Sequence, residues 1–394
     1  MQNVILVINA GSSSIKFKVF TNDTLTVLGS GQCEKIGNPL GIFTLKVNKD
    51  EFKQEIAIPD HKFGIELMIK ELMKHHIIND LKQIKGIGHR IVMGGKKYPD
   101  SVLVTPTVLQ DLKDYSVLAP LHNPPETKTI EEFQKILPNV PNVTVFDTSF
   151  HTTIAPVNHY AISHELASKY QIYRYGFHGT SYRYIVQKMQ KILNKKDVNL
   201  VVAHLGNGAS ISAIKNGKSI DTSMGLTPLE GLVMGTRTGN IDPAVVTYLI
   251  RQGFKPEEVD NILNKESGLK GMCGTNDLRE IMVKVENGDH NAELAVRMFI
   301  KRVAKYLVSF VNELKGKVDA IVFTGGIGEY SCYSVHSILH SIHLFKTDVN
   351  DEKMWSSFAD YKIVSGPKAT YPIYIIHTDE ELMIAQDVKK ITKC

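Results

Sequence analysis

The chain opens on an unbroken apolar run, Val4 to Ile8. A small polar stretch follows, Asn9-Ala10-Gly11-Ser12-Ser13-Ser14, and then a period-two alternation, Ile15-Lys16-Phe17-Lys18-Val19-Phe20. The continuous run predicts a strand buried on both faces, and the alternating run a strand with one wet face. The small residues between them predict a tight turn that lets backbone come close to a ligand. The pattern returns near mid-chain as Leu200-Val201-Val202-Ala203, the turn His204-Leu205-Gly206-Asn207-Gly208-Ala209, a return strand from Ser210 to Ile214, and Asn216-Gly217 at the next turn. Two such units, one opening each half, predict a duplicated domain with a cleft between the halves. Elsewhere, residues 43–47, 84–92, 143–146, 319–324 and 371–376 read as strands, and residues 65–72 and 130–137 as helices. Residues 292–314 read as a long helix with Ala295, Met298, Phe299, Val303, Leu307 and Phe310 on one face. A helix follows His178 with Thr180 or Ser181 as its cap, another starts at Ser334, and a last one runs from Glu380 to Lys389 behind Thr378 or Asp379. Gly325 to Glu329 reads as a turn. Strands alternating with helices imply α/β architecture.

Composition narrows the class without naming a function. The 394 residues suit two or three domains, and 43% apolar with 22% charged residues is ordinary globular usage. A net charge of +5 over this length does not argue for a nucleic-acid partner. Cys33, Cys273, Cys332 and Cys394 are far apart, which excludes a disulfide framework or a cysteine zinc site and suits a reducing cytoplasm. No apolar run approaches the roughly 18 residues of a membrane span. The N-terminus lacks a basic region and reads as a first strand rather than a signal peptide.

Standard nucleotide signatures are missing. Gly217-Lys218-Ser219 ends like a phosphate-binding P-loop, but position 212 is Ser where that loop needs Gly, and neither Gly206-x-Gly208 nor Gly326-x-Gly328 completes a dinucleotide fingerprint. Three small-residue turns remain, Gly11–Ser14, Gly206–Ala209 and Gly325–Gly328, each at the C-terminal end of a predicted strand, where open α/β sheets bind ligands. Their exposed N–H groups suit phosphate. Arg90 in Gly88-His89-Arg90 and Arg237 in Met234-Gly235-Thr236-Arg237 sit in glycine-flanked loops where a guanidinium fork can grip an anion, although loop capping accounts for either equally well. His122, His151 and His178 lie in short polar clusters without metal-chelating spacing. Asp147 and Glu380, with Asn9, suit a weakly held, water-rich Mg²⁺.

Taken together, these stretches resemble the acetate kinase family. The likeness runs in order through Asn9 to Lys16, Gly88-His89-Arg90, Ala119 to Pro124, Phe146-Asp147-Thr148, Tyr175 to Ser181, His204 to Ser210, Met234 to Arg237, Phe323 to Glu329 and Thr378 to Leu382. The resemblance implies two duplicated actin-like (ribonuclease H-like) domains with ATP in the cleft between them. The first would comprise residues 1–147 plus about 380–394 and the second residues 148–379. It also implies ATP/ADP and acetate/acetyl phosphate as partners, Mg²⁺ (or Mn²⁺) as cofactor, and a homodimer through the second domain.

Carried over by motif, Asn9 and Glu380 would help hold Mg²⁺, with Glu381 an alternative to Glu380. Ser12, Ser14 and Lys16 would form the first phosphate loop, and His204, Leu205, Gly206, Asn207 and Gly208 the second. Asp277, Leu278 and Arg279 would lie near the nucleotide, and Gly325, Gly326, Ile327 and Gly328 in the adenosine loop. Arg90, Arg237 and His178 would face the reacting groups, with Asp147 orienting metal or substrate rather than acting as a base. Val92, Leu121, His122, Phe177 and Pro228 would line the small acyl site. Met93, Pro125, Asn240 and Tyr330 depart from the family pattern, and Tyr330 leaves purine selectivity open. The rival readings are a propionate or other short-chain fatty acid kinase, and a non-catalytic actin-like nucleotide switch.

Overall fold

A computed structural model describes residues 2–393. The chain divides into two compact units, one formed by residues up to Phe150 together with those from Asp379 onward, the other by His151–Thr378.

The first unit is built on an eight-stranded sheet. Its elements are β1 (Val4–Ala10), β2 (Ser14–Thr21), β3 (Val27–Glu34), β4 (Gly41–Val47), β5 (Asp50–Ile56), α1 (His61–Lys74), β6 (Ile84–Ile91), β7 (Val102–Leu103), α2 (Pro106–Asp114), α3 (Asn123–Ile136) and β8 (Asn142–Phe146). The strand order is β5-β4-β3-β2-β1-β6-β8-β7. β1 pairs antiparallel with β2 and parallel with β6, and β6 runs parallel to β8. β1 is buried on both faces, as its unbroken apolar run requires: Val4, Leu6 and Ile8 join one core with Phe17, Phe43, Ile65, Leu72 and Phe133, while Ile5 and Val7 join another with Ile384 and Val388 of the C-terminal helix, Glu380–Thr392. That helix reaches three residues past Lys389 and is capped by Asp379, whose carboxylate accepts the Leu382 N–H.

The second unit contains α4 (His164–Tyr170), α5 (Gly179–Ile192), β9 (Leu200–Leu205), β10 (Ala209–Lys215), β11 (Lys218–Thr222), α6 (Ala244–Arg251), α7 (Pro256–Lys265), α8 (Gly268–Cys273), α9 (Leu278–Glu286), α10 (His290–Glu313), β12 (Ala320–Thr324), α11 (Gly325–Tyr330), α12 (Cys332–His340), α13 (Asp351–Trp355), β13 (Tyr361–Ile363) and β14 (Ile373–Ile376). Its sheet runs β11-β10-β9-β12-β14-β13. Here β9 pairs antiparallel with β10 and parallel with β12, and β12 runs parallel to β14. The five-strand path β3-β2-β1-β6-β8 of the first unit is thus repeated, with the same directions, as β11-β10-β9-β12-β14. The two alternating hairpins legible in the sequence are the matching first pairs of these sheets.

Two local expectations need correcting. Gly325 to Glu329 is not a turn but the body of helix α11. Glu329 folds back so that its Oε1 accepts the Gly325 N–H at 2.8 Å and the Thr324 hydroxyl at 3.1 Å, which supplies the cap that three glycines could not. Neither Thr180 nor Ser181 caps α5, because His178 holds the N-cap position in a left-handed conformation with φ 59°. On α10, Met298 lies at the flank of the buried stripe and is 41% exposed, whereas Ala295, Phe299, Val303, Leu307 and Phe310 are buried. No helix among the described residues is long and apolar enough to cross a membrane.

Candidate active site

In the first unit the chemistry gathers at the C-terminal ends of β1, β6 and β8. Parallel strands β6 and β8 deliver Arg90 and Asp147 to the same edge, since Arg90 pairs with Val145 in the ladder and Asp147 follows one residue beyond β8. Arg90 Nε donates to Asp147 Oδ1 at 3.1 Å and Nη2 to Oδ2 at 2.6 Å, a two-pronged fork on a carboxylate that is only 1% exposed. Nη1 reaches Asn9 Oδ1, at the end of β1, at 3.5 Å. Glu380 Oε2 stands 3.8 Å from Arg90 Nε. Burial works against the Arg90 charge, but Asp147 and then Glu380 outweigh it and hold the guanidinium above its ordinary pKa. Burial pushes Glu380 up to about 7, with Arg90 opposing and Asp147 reinforcing the shift.

The neighbouring Glu381 is turned to Lys18, 3.3 Å away, so of the two glutamates it is Glu380 that joins Arg90 and Asp147. The donors around Arg90 are an amide oxygen and carboxylates, a set suited to a hard divalent cation. Burial raises the Glu380 carboxyl, and a bound cation would favour its charged form. Among the described residues no group of three or more His, Cys, Asp or Glu side chains forms a cage.

The β1–β2 turn is closed by the Gly11 N–H donating to Ser14 O at 2.8 Å, and His61 Nε2 donates to Gly11 O at 2.8 Å. Ser12 and Lys16 are exposed and Ser14 is half-buried. Asn9 and Lys16 share a depression of about 290 Å³ with Lys18 and Glu381. Val92 is buried, Leu121 is 44% exposed, and His122 is the residue before α3.

In the second unit a second cluster surrounds the β9–β10 turn. His178 Nδ1 pairs with Ser210 Oγ at 2.8 Å, and its ring stacks on His204 with centroids 4.3 Å apart. His204 Nδ1 pairs with Ser181 Oγ at 2.9 Å. A Cβ added at Gly208 would lie 3.4 Å from Arg237 Nη1 and 3.6 Å from His178 Nε2, so both side chains flank this glycine. Arg237 Nη1 also donates to Pro228 O at 3.3 Å. The Phe177 ring is buried, and its carbonyl accepts from His151 Nε2 at 2.9 Å. A carbonyl can only accept, so the His151 proton sits on Nε2, and Nδ1 accepts from the Ser219 hydroxyl at 2.8 Å.

Beside this cluster lies a cavity of about 710 Å³. Gly206, Asn207, Asp277, Leu278, Arg279, Gly326 and Ile327 line it, together with Gly235, Asn276, Met282 and Tyr330. The apolar walls suit a nucleobase, and the glycines leave room for phosphates. Leu205 and Gly325 do not line the cavity: Leu205 is wholly buried, and a Cβ at Gly325 would strike the Leu205 carbonyl oxygen at 2.8 Å. Gly328 is buried in the body of α11. Asp277 caps α9 and grips Arg279, whose hydrogen bonds hold it down to about 2.

The acyl-site candidates divide between the units, Val92, Leu121 and His122 in one and Phe177 and Pro228 in the other. Sequence reasoning passed over Asn276, which donates to Asn207 Oδ1 at 2.8 Å, and Ser210, which orients His178. It also passed over Glu126, whose buried carboxyl accepts the Val92 N–H at 3.1 Å.

The fold is that of the duplicated actin-like proteins, with a glycine turn at the matching hairpin of each unit. The sequence profile of the acetokinase family matches residues 4–386, and the chain belongs to that family. An acetate kinase of Bacillus cytotoxicus is 46% identical over 392 residues, 98% of each chain. The crystal structure of Porphyromonas gingivalis acetate kinase superposes with a TM-score of 0.91 at 36% identity, covering 99% of both chains. That of a propionate kinase from Francisella tularensis subsp. tularensis gives 0.93 at 40% identity, covering 99% of this chain and 100% of the other.

Proposed function

We propose that the protein transfers the γ-phosphoryl group of ATP to acetate, reversibly, giving acetyl phosphate and ADP. The observation that carries this reading is the Arg90 fork, fixed by a buried aspartate beside Asn9 and Glu380, in a chain of this family. A carboxylic acid of pKa about 4.3 is already ionised near neutral pH and needs no base to become a nucleophile. The obstacle is repulsion between two anions. Asp147 occupies the Nε and Nη2 edge of Arg90 and so turns the remaining N–H groups toward the acceptor carboxylate. In this role Asp147 orients and does not take a proton.

The acceptor oxygen attacks the γ-phosphorus in line while the bond to the β,γ-bridging oxygen breaks and ADP leaves. His178 Nε2 and Arg237 Nη1, both flanking Gly208, donate to the phosphoryl oxygens as charge spreads over them. Ser210 holds the His178 ring in place through Nδ1. Asn207 and Gly208 receive phosphates through backbone N–H groups, and Gly206, whose own N–H donates to Gly208 O at 3.1 Å, leaves them room. Ser12, Ser14 and Lys16 serve the same purpose in the first unit. Asp277, Leu278, Arg279, Gly326 and Ile327 hold the nucleoside. Mg²⁺, held through Asn9 and Glu380, would neutralise phosphate charge when bound.

Incubation with ATP, Mg²⁺, acetate and hydroxylamine tests the proposal: acetohydroxamate is expected, and ATP binding without it would leave a nucleotide switch instead. A second reading, propionate as acceptor, is favoured by the Francisella propionate kinase at 40% identity. One methylene is worth only about 1–3 kcal/mol of discrimination, so relative kcat/KM for acetate and propionate decides it. We further assign the protein to a reducing cytoplasm, in keeping with Cys33, Cys273 and Cys332 all being free thiols, and to a homodimer.

A further inference from the structure

The ladder between β6 and β8 ends at the pair Ile91 and Phe146. Beyond it, the chain bearing Val92 is held by side chains instead of by a strand. The Val92 N–H donates to Glu126 Oε2 at 3.1 Å. The Met93 N–H donates to Asn123 Oδ1 at 3.2 Å, and Asn123 Nδ2 returns a bond to Met93 O at 3.0 Å. Asn123 and Glu126 belong to the first turn of α3, directly after Leu121 and His122. The candidate acyl-site residues of this unit therefore sit on two separate pieces of chain joined by these bonds.

We propose that Glu126 is a positioning residue that sets the width of the acyl site by tying the end of β6 to the start of α3. The inference rests on the reading of Val92, Leu121 and His122 as acyl-site residues. Glu126 is 3% exposed, so a missing acceptor would leave the Val92 N–H without a replacement from water. Burial pushes its carboxyl up to about 8, with the Val92 N–H and Arg90 opposing, so near neutral pH it competes little with Asp147 for the guanidinium.

The test compares Glu126→Leu, which fills the space without an acceptor, with Glu126→Gln, which keeps one. In Glu126→Leu the KM for acetate is expected to rise and the acetate-to-propionate ratio of kcat/KM to change by about threefold or more, with kcat for acetate within about twofold of the parent. Glu126→Gln is expected to restore both to within about twofold. If Glu126→Leu does not fold, Glu126→Asp, shorter by one methylene, carries the same readout with a change of the same sign. A folded variant lacking the acceptor that keeps the parental KM and ratio overturns the proposal, as does an equal fall in kcat for both acids. Failure of the parent protein itself to form acyl phosphate would overturn the proposed function instead.

Discussion

Arg90 gains its aim from Asp147, and this division of labour fixes what each substitution should do. Arg90→Ala removes a transition-state donor and is expected to lower kcat by on the order of 10²–10³. Arg90→Lys keeps the charge but cannot fork onto Asp147, so its kcat should stay nearer to Ala than to Arg. Steady-state acetohydroxamate formation measures both, and near-parental turnover in Arg90→Ala would remove the residue from the reaction. Asp147→Asn places an amide N–H where one oxygen now accepts, so the guanidinium loses half its anchor and kcat should fall with it. Both residues were legible in the sequence: Asp147 directly follows an apolar strand, and Arg90 stands out as a charge beside glycines, although it lies within β6 and not in the loop expected for it. Glu126 was not, since an acid in the first turn of a helix is ordinary sequence and only tertiary contact with Val92 shows its use. Ser210 and Ser181 were hidden for the same reason: their histidine partners are 32 and 23 residues away in the chain.

Among the elements, α11 offers the sharpest prediction. Gly326 lines the nucleoside cavity, and a Cβ built there meets nothing within 4 Å. A longer side chain at 326 would therefore fill the cavity without straining the protein. Gly326→Leu is expected to raise the KM for ATP by about tenfold or more with little change in Tm or in the KM for acetate, read by ATP titration and calorimetry. An unchanged KM for ATP would move the nucleoside out of this cavity. The central strands announced themselves through apolar runs, whereas β3 and β5 went unseen. β5 is an edge strand whose residues are exposed apart from its half-buried last one, Ile56, so it carries no apolar pattern. β3 has glycine where a side chain would alternate, and a Cβ on Gly31 would strike the Phe17 ring at 2.4 Å. Its sequence records the size of its neighbour instead of its own period.

The molecule as a whole should be sensitive to acid, because each unit buries a neutral histidine. Burial pushes both His89 and His151 down to about 4, against their respective bonds to Asn142 and Phe177. Below an unfolded pKa of about 6.5 the unfolded chain takes up protons that the native protein refuses, so stability falls as pH drops from about 6.5 to about 4. Each histidine contributes about 1.4 kcal/mol per pH unit to that slope. His89→Gln should flatten it in chemical denaturation, and an unaltered slope would assign the acid sensitivity elsewhere. Helix α6 has no buried residue although its sequence is mostly apolar, and Tyr248 is 56% exposed with Ile241, Ile250 and Phe254 also in the open. If the chain forms the proposed homodimer, the exposed apolar side of α6 is the expected contact with the second copy. Light scattering should give twice the 44.0 kDa chain mass for the parent protein, and Tyr248→Glu with Ile250→Glu should give the single-chain mass. A parent that elutes as one chain, or a double variant that still elutes as two, would take α6 out of the interface.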